Sequence, residues 1–343
     1  MHILREILFM GKFFIGMELH EYYDANTILA EIELTEKLGY DAVWLGDSQM
    51  IWREIYVLLG AAAKATSRVW LGTGVTNPIT RLPVVTASAI TTLQELSGGR
   101  AVLGVGTGDS SVRTLGMKPA TLATLEKFVN EVRDLCSGRP VAAQNPEVRL
   151  SFGAPQKCPP IILAAAGPKT LQLAGRIADG VIFSTGKSRS SFQKAMGYIQ
   201  AGLKERTLPK DNFQIIFVRG VAIHADRKKA LAAVRSKVAR LLLTYRWDMS
   251  EAVAKAKKEL QAAYNYYEHM SPDATHAELV PDELIPEFAI AGTAADCREQ
   301  VAELFELGID QLHIRPYGID GASRSTTIET FAKEVMEPLR RNV

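Results

Sequence analysis

Three ionisable side chains, Glu18, His20 and Glu21, follow the first predicted strand of the chain. Carboxylates and imidazoles are common proton donors and acceptors in catalysis, and the carboxyl end of a buried strand is a common place for them. Solvated loop residues have the same composition, so both interpretations stay open at this point.

A fourth candidate, Asp47, ends the second predicted strand, and Trp52 follows five residues later. From the residues alone, a loop-capping Asp and a core Trp explain that pair slightly better than a catalytic role does.

Two apolar segments break into glycine and small polar residues at their C-terminal ends. They are residues 70–78 (WLGTGVTNP) and residues 102–109 (VLGVGTGD). A buried parallel strand that carries a ligand site at its tip has this pattern. We therefore expect the chemistry of the protein at the ends of these two strands.

The tripeptide Ala166-Gly167-Pro168 joins a predicted strand to a predicted helix. Proline suits the first position of a helix, and the glycine before it leaves backbone N–H groups open. The positive end of the helix dipole favours an anion at such a place. The tripeptide therefore predicts a site for a phosphate group.

The candidate residues lie in a chain in which short apolar strands alternate with amphipathic helices, in units of about thirty residues. This alternation is typical of right-handed βαβ units. Eight strands make a closed (β/α)8 TIM barrel more economical than an open doubly wound sheet. Residues 236–286 interrupt the alternation and predict a helical insertion with a tyrosine cluster at Tyr264, Tyr266 and Tyr267. The predicted strands are residues 12–19, 41–46, 69–76, 101–106, 161–165, 181–184, 214–223 and 311–314, and the main helices are residues 25–38, 55–65, 83–96, 121–135, 168–177, 190–205, 294–307 and 326–340.

Composition limits the class of protein. The chain has 343 residues, of which 47% are hydrophobic and 23% charged, and contains no linker-like segment, so we expect one domain over residues 1–343. A net charge of +2 predicts neither a nucleic-acid partner nor an anionic membrane partner. Cys136, Cys158 and Cys297 lie outside any metal-ligand spacing and predict reduced structural thiols of a cytoplasmic protein without a metal.

Four segments together resemble the bacterial luciferase-like superfamily, in its branch of deazaflavin-dependent reductases, which includes methylenetetrahydromethanopterin reductase and the deazaflavin type of glucose-6-phosphate dehydrogenase. The second and third segments carry most of the specificity. The resemblance implies a luciferase-like TIM barrel that holds coenzyme F420, a deazaflavin, or FMN across its strand tips. The segments are residues 71–83 (LGTGVTNPITRLP), 97–109 (SGGRAVLGVGTGD), 159–182 (PPIILAAAGPKTLQLAGRIADGVI) and 292–316 (GTAADCREQVAELFELGIDQLHIRP).

The resemblance assigns cofactor contacts at two strand tips. At the third strand, Gly74-Val75 matches the place where the family has a non-prolyl cis peptide behind the central ring, with Thr73 and Thr76 on either side. At the fourth strand, the matching residues line the ring and ribityl chain. They are Thr107, Gly108 and Asp109.

The resemblance also assigns the phosphate site to Ala166, Gly167 and Pro168. A second segment, after the sixth strand, would close over the same phosphate. It consists of Ser184, Thr185 and Gly186, and Lys187 would add charge.

Asp47 and Trp52 also match the family, where they contact the ring. In the sugar-phosphate branch the position after the aspartate holds a histidine near the reacting carbon, but here it holds Ser48. The proton-transfer candidates are therefore Asp47, Glu18, His20 and Glu21. Arg315, after the last strand, is a weaker candidate for binding an anionic group of the substrate.

The resemblance implies an oxidoreductase that transfers a hydride between coenzyme F420 and a small organic substrate, with a homodimer as the expected assembly. An FMN-dependent monooxygenase that uses reduced flavin and oxygen is the alternative on the same scaffold. A non-catalytic flavin-binding protein is a third possibility, because of Ser48. Fold analogy alone does not separate the three.

Overall fold

The computed structural model of the chain describes residues 14–19, 23–142, 148–209, 212–247, 249–263 and 274–341. Strands and helices alternate along most of this part of the chain. The strands are β1 (Phe14–Leu19), β2 (Ala42–Leu45), β3 (Trp70–Thr73), β4 (Ala101–Val105), β5 (Ile161–Ala164), β6 (Gly180–Phe183), β7 (Gln214–Ile223), β8 (Ala289–Gly292) and β9 (Gln311–Pro316).

The helices lie between and after these strands. They are α1 (Ala25–Lys37), α2 (Ile55–Ala65), α3 (Pro83–Leu96), α4 (Ser110–Arg113), α5 (Leu122–Cys136), α6 (Pro168–Ile177), α7 (Arg189–Lys204), α8 (Arg227–Thr244), α9 (Glu251–Ala263), α10 (Ile285–Phe288), α11 (Ala294–Glu306), α12 (Arg324–Phe331) and α13 (Glu337–Arg341), with 3-10 turns at Thr275–Leu279 and Asp282–Leu284 and a π turn at Ala332–Met336.

The chain divides into two compact units. The N-terminal unit comprises residues 16–183 and 198–215, and the C-terminal unit holds the rest of the described chain. In the N-terminal unit, β1 to β6 are neighbours in chain order and all pair in parallel. Their carboxyl ends therefore lie along one edge of the sheet.

The central strands of the N-terminal unit are buried along their whole length, as is expected of parallel strands covered by helices. Every residue of β2, β3 and β4 is buried. A small residue is needed where an aromatic ring of one strand packs against the backbone of the neighbouring strand. Gly72 is the register partner of Trp44, and a β-carbon at Gly72 would lie 2.6 Å from the Trp44 ring.

Local signals in the sequence explain where the helices begin. The carboxylate of Asp24 accepts hydrogen bonds from the amides of Asn26 and Thr27, at 3.0 and 3.1 Å, and caps α1. Proline occupies the first turn of α3 and α6, where it displaces no helical hydrogen bond.

In the C-terminal unit, β7 pairs in parallel with β9 from Ile216 to Val221 and with β8 from Gly220 to Ile223. The sequence predicts eight strands, and β8 is the additional one. Its four residues, Ala-Ile-Ala-Gly, are too short and too small to resemble a strand in sequence.

The predicted insertion is helical in the described residues, which carry α9, two 3-10 turns and α10 between residues 249 and 288. The tyrosine cluster at Tyr264, Tyr266 and Tyr267 lies outside the described residues. No helix in the described ranges is both long enough and apolar enough to cross a membrane.

Candidate active site

The ends of β2, β3 and β4 are joined by backbone hydrogen bonds just beyond the regular strands. The Gly74 amide donates to the Leu45 carbonyl at 2.6 Å. The Thr76 amide donates to the Gly104 carbonyl at 3.0 Å, and the Gly106 amide donates to the Thr76 carbonyl at 2.9 Å. The peptide between Gly74 and Val75 is cis, which confirms the prediction for this position.

Both threonines that flank this peptide are fully buried. The Thr73 hydroxyl donates to the Gly104 carbonyl at 2.7 Å and accepts from the Gly104 amide at 2.9 Å. Its side chain therefore serves the sheet, and a contact between Thr73 or Thr76 and a cofactor stays a prediction.

Apolar side chains cover the glycines at the same edge. A β-carbon at Gly106 would lie 3.1 Å from a methyl group of Val75. The Trp52 ring packs on Gly46, where a β-carbon would lie 2.5 Å from it. Trp52 is partly exposed. Val75 and Trp52 therefore place a methyl group and a ring edge at this end of the sheet, as contact with a flat cofactor ring requires.

Asp47 is buried at the end of β2, with 3% of its side chain exposed. Both of its carboxylate oxygens accept hydrogen bonds from Arg81, from Nε at 2.6 Å and from Nη2 at 2.8 Å. Arg81 also pairs with Glu54 at 2.6 Å, and its guanidinium lies 4.8 Å from the centre of the Tyr56 ring. The sequence predicts proton transfer by Asp47, and the structure shows a carboxylate held as a bidentate acceptor.

The charged groups of this cluster shift the pKa values of Arg81 and Tyr56. Burial opposes the charged form of Arg81, but hydrogen bonds to Asp47 and Glu54 outweigh it and raise the pKa of Arg81. Burial, reinforced by Asp47, raises the pKa of the Tyr56 hydroxyl. Arg81 therefore remains a cation and Tyr56 a neutral hydroxyl at physiological pH.

The loops after β2, β3 and β4 share a polar network. The Ser48 and Ser110 hydroxyls are 2.6 Å apart, and the Asn77 amide nitrogen donates to the Ser111 hydroxyl at 3.0 Å. Ser48 therefore connects two loops at the position where sugar-phosphate relatives are expected to hold a histidine. The network fixes the loops relative to one another.

The residues predicted at the end of β4 lie in this loop. Thr107 accepts a hydrogen bond from the Ala120 amide at 2.8 Å through its carbonyl. Gly108 has a φ of 90°, in the region that favours glycine. Asp109 is exposed and pairs with Arg113 at 2.7 Å. The structure thus places all three at the carboxyl edge of the N-terminal sheet.

The predicted phosphate site lies on the same edge, at the end of β5. Gly167 is the N-cap of α6 in an extended conformation, with φ −146° and ψ 169°. No atom lies within 4 Å of the place that its β-carbon would occupy. The amides of Lys169 and Thr170 have no acceptor among the described residues. Ala166, Gly167 and Pro168 thus leave open space at a helix N-terminus, which suits a phosphate.

The second predicted phosphate segment, Ser184 to Gly186, belongs to the C-terminal unit. The Thr185 hydroxyl donates to the Gly186 carbonyl at 2.7 Å, and the Gly186 amide donates to the Tyr245 hydroxyl at 3.3 Å. Lys187 pairs with Glu303 at 3.1 Å. Three of the donors that the sequence offers here are therefore used within the protein.

Sequence reasoning missed Arg219, which lies on β7. Its guanidinium donates to the Ser184 hydroxyl at 2.6 Å and to the Thr185 carbonyl at 2.7 Å. The signal was present, because Arg219 is the one charged residue in the otherwise apolar run QIIFVRGVAI.

Arg315 lies on β9 and is partly buried. Burial lowers the pKa of Lys237, and the nearby charges of Arg240 and Arg315 lower it further. Arg315 is therefore part of a group of three cations in the C-terminal unit, which is consistent with its predicted contact with an anion.

The remaining proton-transfer candidates lie at the end of β1 and directly after it. Glu18 lies in β1 as the register partner of Trp44, and its side chain is outside what the structure describes. His20 and Glu21 lie outside the described residues. Their roles stay predictions.

Comparison with known proteins identifies the family of the chain and agrees with the fold. The family model for luciferase-like monooxygenases matches residues 6–311. The chain belongs to this family of flavin-type oxidoreductases.

Three relatives make the similarity more specific. The chain is 32% identical over 323 residues to a 5,10-methylenetetrahydromethanopterin reductase of Archaeoglobus fulgidus, covering 90% of this chain and 94% of the relative. It is 27% identical over 339 residues to an F420-dependent glucose-6-phosphate dehydrogenase of Microbacterium testaceum, covering 94% and 95%. The solved structure of the coenzyme F420 dependent tetrahydromethanopterin reductase of Methanopyrus kandleri matches with a TM-score of 0.77 and 25% identity, covering 94% of this chain and 98% of that one. The (β/α)8 barrel of the luciferase-like type is thereby confirmed.

Proposed function

We propose that the protein is a deazaflavin-dependent oxidoreductase, which transfers a hydride between coenzyme F420 and a small organic substrate. The observation that carries this proposal is the open N-terminus of α6 at Gly167, on the same sheet edge as the hydrogen-bonded end of β3 at Gly74. The proposal agrees with the names of the relatives, which include an F420-dependent dehydrogenase and a reductase that depends on F420.

The distance between the end of β3, at Gly74 and Val75, and the N-terminus of α6, at Gly167, fits a cofactor in which a short polyol chain joins the ring to a phosphate. These two segments follow β3 and β5, which are separated only by β4. Neighbouring strands lie about 4.8 Å apart, so the two tips are about 10 Å apart across the sheet. A ribityl chain that ends in a phosphate spans such a gap.

The residues of the N-terminal unit then have distinct tasks. The Gly74-Val75 peptide and Trp52 hold the flat ring, and Thr107, Gly108 and Asp109 line the ring edge and the chain that follows it. Gly167 and the free amides of α6 bind the phosphate. The bound deazaflavin supplies the carbon that gives or takes the hydride, and the protein supplies binding and orientation.

The Asp47–Arg81 pair acts by positioning in this proposal. The pair is buried, and each carboxylate oxygen has its own guanidinium donor. It therefore fixes the end of β2 against the loop that follows β3 and keeps a negative charge beside the ring. Proton transfer to or from the substrate is assigned to the group Glu18, His20 and Glu21.

Fluorescence titration tests the choice of cofactor. We expect coenzyme F420 to bind with a micromolar Kd or tighter and FMN at least about tenfold more weakly, a difference of about 1.4 kcal/mol. Tighter binding of FMN, together with oxygen consumption when a flavin reductase is added, would make the protein a monooxygenase. A folded protein that binds neither cofactor would contradict the proposal altogether.

A further inference from the structure

Two cysteine thiols of the N-terminal unit contact each other, although they lie far apart in the sequence. Cys136 is the last residue of α5, and Cys158 comes shortly before β5. The Cys136 thiol donates a hydrogen bond to the Cys158 sulfur. Both cysteines are free, and neither takes part in the proposed function. The pair is therefore a nucleophilic cluster without an assigned role.

Helix α3 holds both cysteines from one side. The Thr91 hydroxyl lies 3.5 Å from the Cys136 sulfur. One turn later, the Gln94 side-chain amide donates to the carbonyl of Lys157, the residue before Cys158, at 3.1 Å. Residues three positions apart lie on the same face of a helix, so these two contacts bring the cysteines to one place.

Asp179 joins the same two segments of the chain. One oxygen of its carboxylate accepts hydrogen bonds from Nη1 of Arg133 and from the Ile161 amide, each at 2.9 Å. Arg133 lies one turn before Cys136, and Ile161 begins the strand that follows Cys158. The proximity of the two sulfurs is thus fixed by contacts of the neighbouring residues and not by the thiols alone.

The two thiols differ in their access to solvent and in their pKa values. Cys136 is 2% exposed, whereas Cys158 is partly exposed. The hydrogen bond from Cys136, and then the charge of Arg133, lower the pKa of Cys158 against the effect of burial. The hydrogen bond to Cys158, together with burial, raises the pKa of Cys136. Cys158 therefore loses its proton more readily and reaches solvent, and Cys136 stays protonated behind it.

We infer that Cys158 and Cys136 form an oxidation site, in which hydrogen peroxide oxidises Cys158 and Cys136 captures the product as a disulfide. An accessible thiolate beside a second thiol is the arrangement that converts a sulfenic acid into a disulfide. The site lies before the amino end of β5, at the opposite end of this strand from the predicted phosphate site at Gly167. It is therefore separate from the candidate active site.

The reaction has two steps. In the first step, the Cys158 thiolate attacks one oxygen of the peroxide and breaks the O–O bond, which gives a sulfenic acid and a hydroxide that takes a proton from solvent. In the second step, the Cys136 sulfur attacks the Cys158 sulfur and breaks the S–O bond, and the leaving hydroxide takes the Cys136 proton. The peroxide is reduced to water, and the thiol pair is oxidised to a disulfide.

Cys297 is the internal control, because it has neither the access nor the lowered pKa of Cys158. It is fully buried, and burial raises the pKa of its thiol to about 12. A buried thiol that keeps its proton reacts slowly with peroxide. Cys297 should therefore stay reduced under conditions that oxidise Cys158.

Peptide mapping after exposure to hydrogen peroxide tests the inference. The full chain is treated with peroxide, its remaining thiols are blocked with N-ethylmaleimide, and the unreduced digest is analysed by mass spectrometry. The variants are Cys136→Ser and Cys158→Ser, with Cys297→Ser as the matched control. Dimedone, which reacts with sulfenic acids, is added to a second sample of each protein.

We expect the wild-type protein and Cys297→Ser to give a pair of peptides that is joined through Cys136 and Cys158 and that dithiothreitol separates. Cys158 should react at least about tenfold faster than Cys297, as for an accessible thiolate against a buried thiol. Cys136→Ser should form no cross-link and should carry dimedone on Cys158 instead. Cys158→Ser should give neither product.

If Cys136 and Cys158 of the wild-type protein remain free, or react no faster than Cys297, the inference is overturned. A sulfenic acid on Cys158 that Cys136 does not capture would also overturn it. The map of the wild-type protein decides the question even if a variant does not fold. The thiols are measured without F420, so a protein that binds no F420 would refute the proposed function and leave this result in place.

Discussion

Gly167 is a residue at which folding and ligand binding can be separated. Its backbone is extended, so any residue can adopt it, and the space beside its α-carbon is open. A side chain there would fill the space that the phosphate needs and would leave the protein fold intact.

We therefore expect Gly167→Val to weaken F420 binding by more than about tenfold, a loss of over about 1.4 kcal/mol. The melting temperature should stay close to that of the wild type, because nothing in the fold meets the new side chain. Gly197→Val is a matched control, since Gly197 also borders open space but lies within α7 and is not among the predicted contact residues. Equal F420 titrations for wild type and Gly167→Val would remove the phosphate assignment.

Sequence reasoning predicts features that depend on consecutive residues, and it misses side-chain contacts between residues that are far apart in the sequence. The open cap at Gly167 is a property of a few consecutive residues and is predicted from them, whereas the cis peptide at Gly74 is predicted from the resemblance of a short motif to the family. The partner of Asp47 is 34 positions away, and that of Ser184 is 35 positions away. No local pattern specifies such pairs, so the roles of Arg81 and Arg219 emerged only from the structure.

The cysteines show the same limit. Their spacing predicts isolated thiols, and all three are free. The structure nevertheless brings two of them together. A hydrogen bond to Cys158, together with burial, raises the pKa of the Cys136 thiol.

Among the elements, α11 begins with a complete capping box. The Asp296 amide donates to the Thr293 hydroxyl at 3.3 Å, and the Thr293 amide donates to the Asp296 carboxylate at 2.8 Å. The bond from the Thr293 amide is the main cause that lowers the pKa of Asp296. The ionised carboxylate therefore stabilises the folded state.

The sign of the pH dependence follows from this shift. Because the folded pKa is lowered, the contribution of Asp296 is complete above its unfolded pKa of about 3.9 and is lost as the pH falls through the lower, folded value. Asp296→Asn should lower the urea midpoint at pH 7, by an amount equivalent to about 0.5–1 kcal/mol, and have little effect near pH 2. Glu299→Gln, on the exposed side of the same helix, is the control and should show no such difference. A deficit in Asp296→Asn of the same size at both pH values would contradict the argument.

Most element boundaries could be predicted, because prolines, caps and glycines mark them in the sequence. The ranges of α2, α3, α6 and β7 agree with the predicted ones at both ends. The strand β8 could not be predicted, because it exists only through its pairing with the last residues of a long neighbour.

For the whole molecule, the sequence predicts a single domain, and the resemblance to the family implies a homodimer, which we expect to form through α2 and α3. These helices expose Val57, Val85 and Leu96, which are 71%, 52% and 43% accessible. Exposed apolar side chains on adjacent helices are typical of a subunit interface. The single-domain organisation, the dimer and the cytoplasmic location stay predictions.

Light scattering at micromolar concentration should give twice the chain mass of 37.6 kDa. Val57→Glu combined with Val85→Glu should shift the mass to that of one chain, because the interface would bury two unpaired charges from each chain. Phe152→Glu changes an equally exposed apolar residue elsewhere and should leave the dimer intact. A monomer in the wild-type protein would exclude the predicted interface.

The hydrogen bonds around the end of β3 have a consequence for the thermodynamics of binding. Gly74 is bonded to the end of β2, and Thr76 is bonded twice to β4. The peptide groups between them are therefore preorganised, and little backbone entropy is lost when a ligand settles on them. Ligands of equal contact area bind more tightly to such a surface than to a loop that must first become ordered.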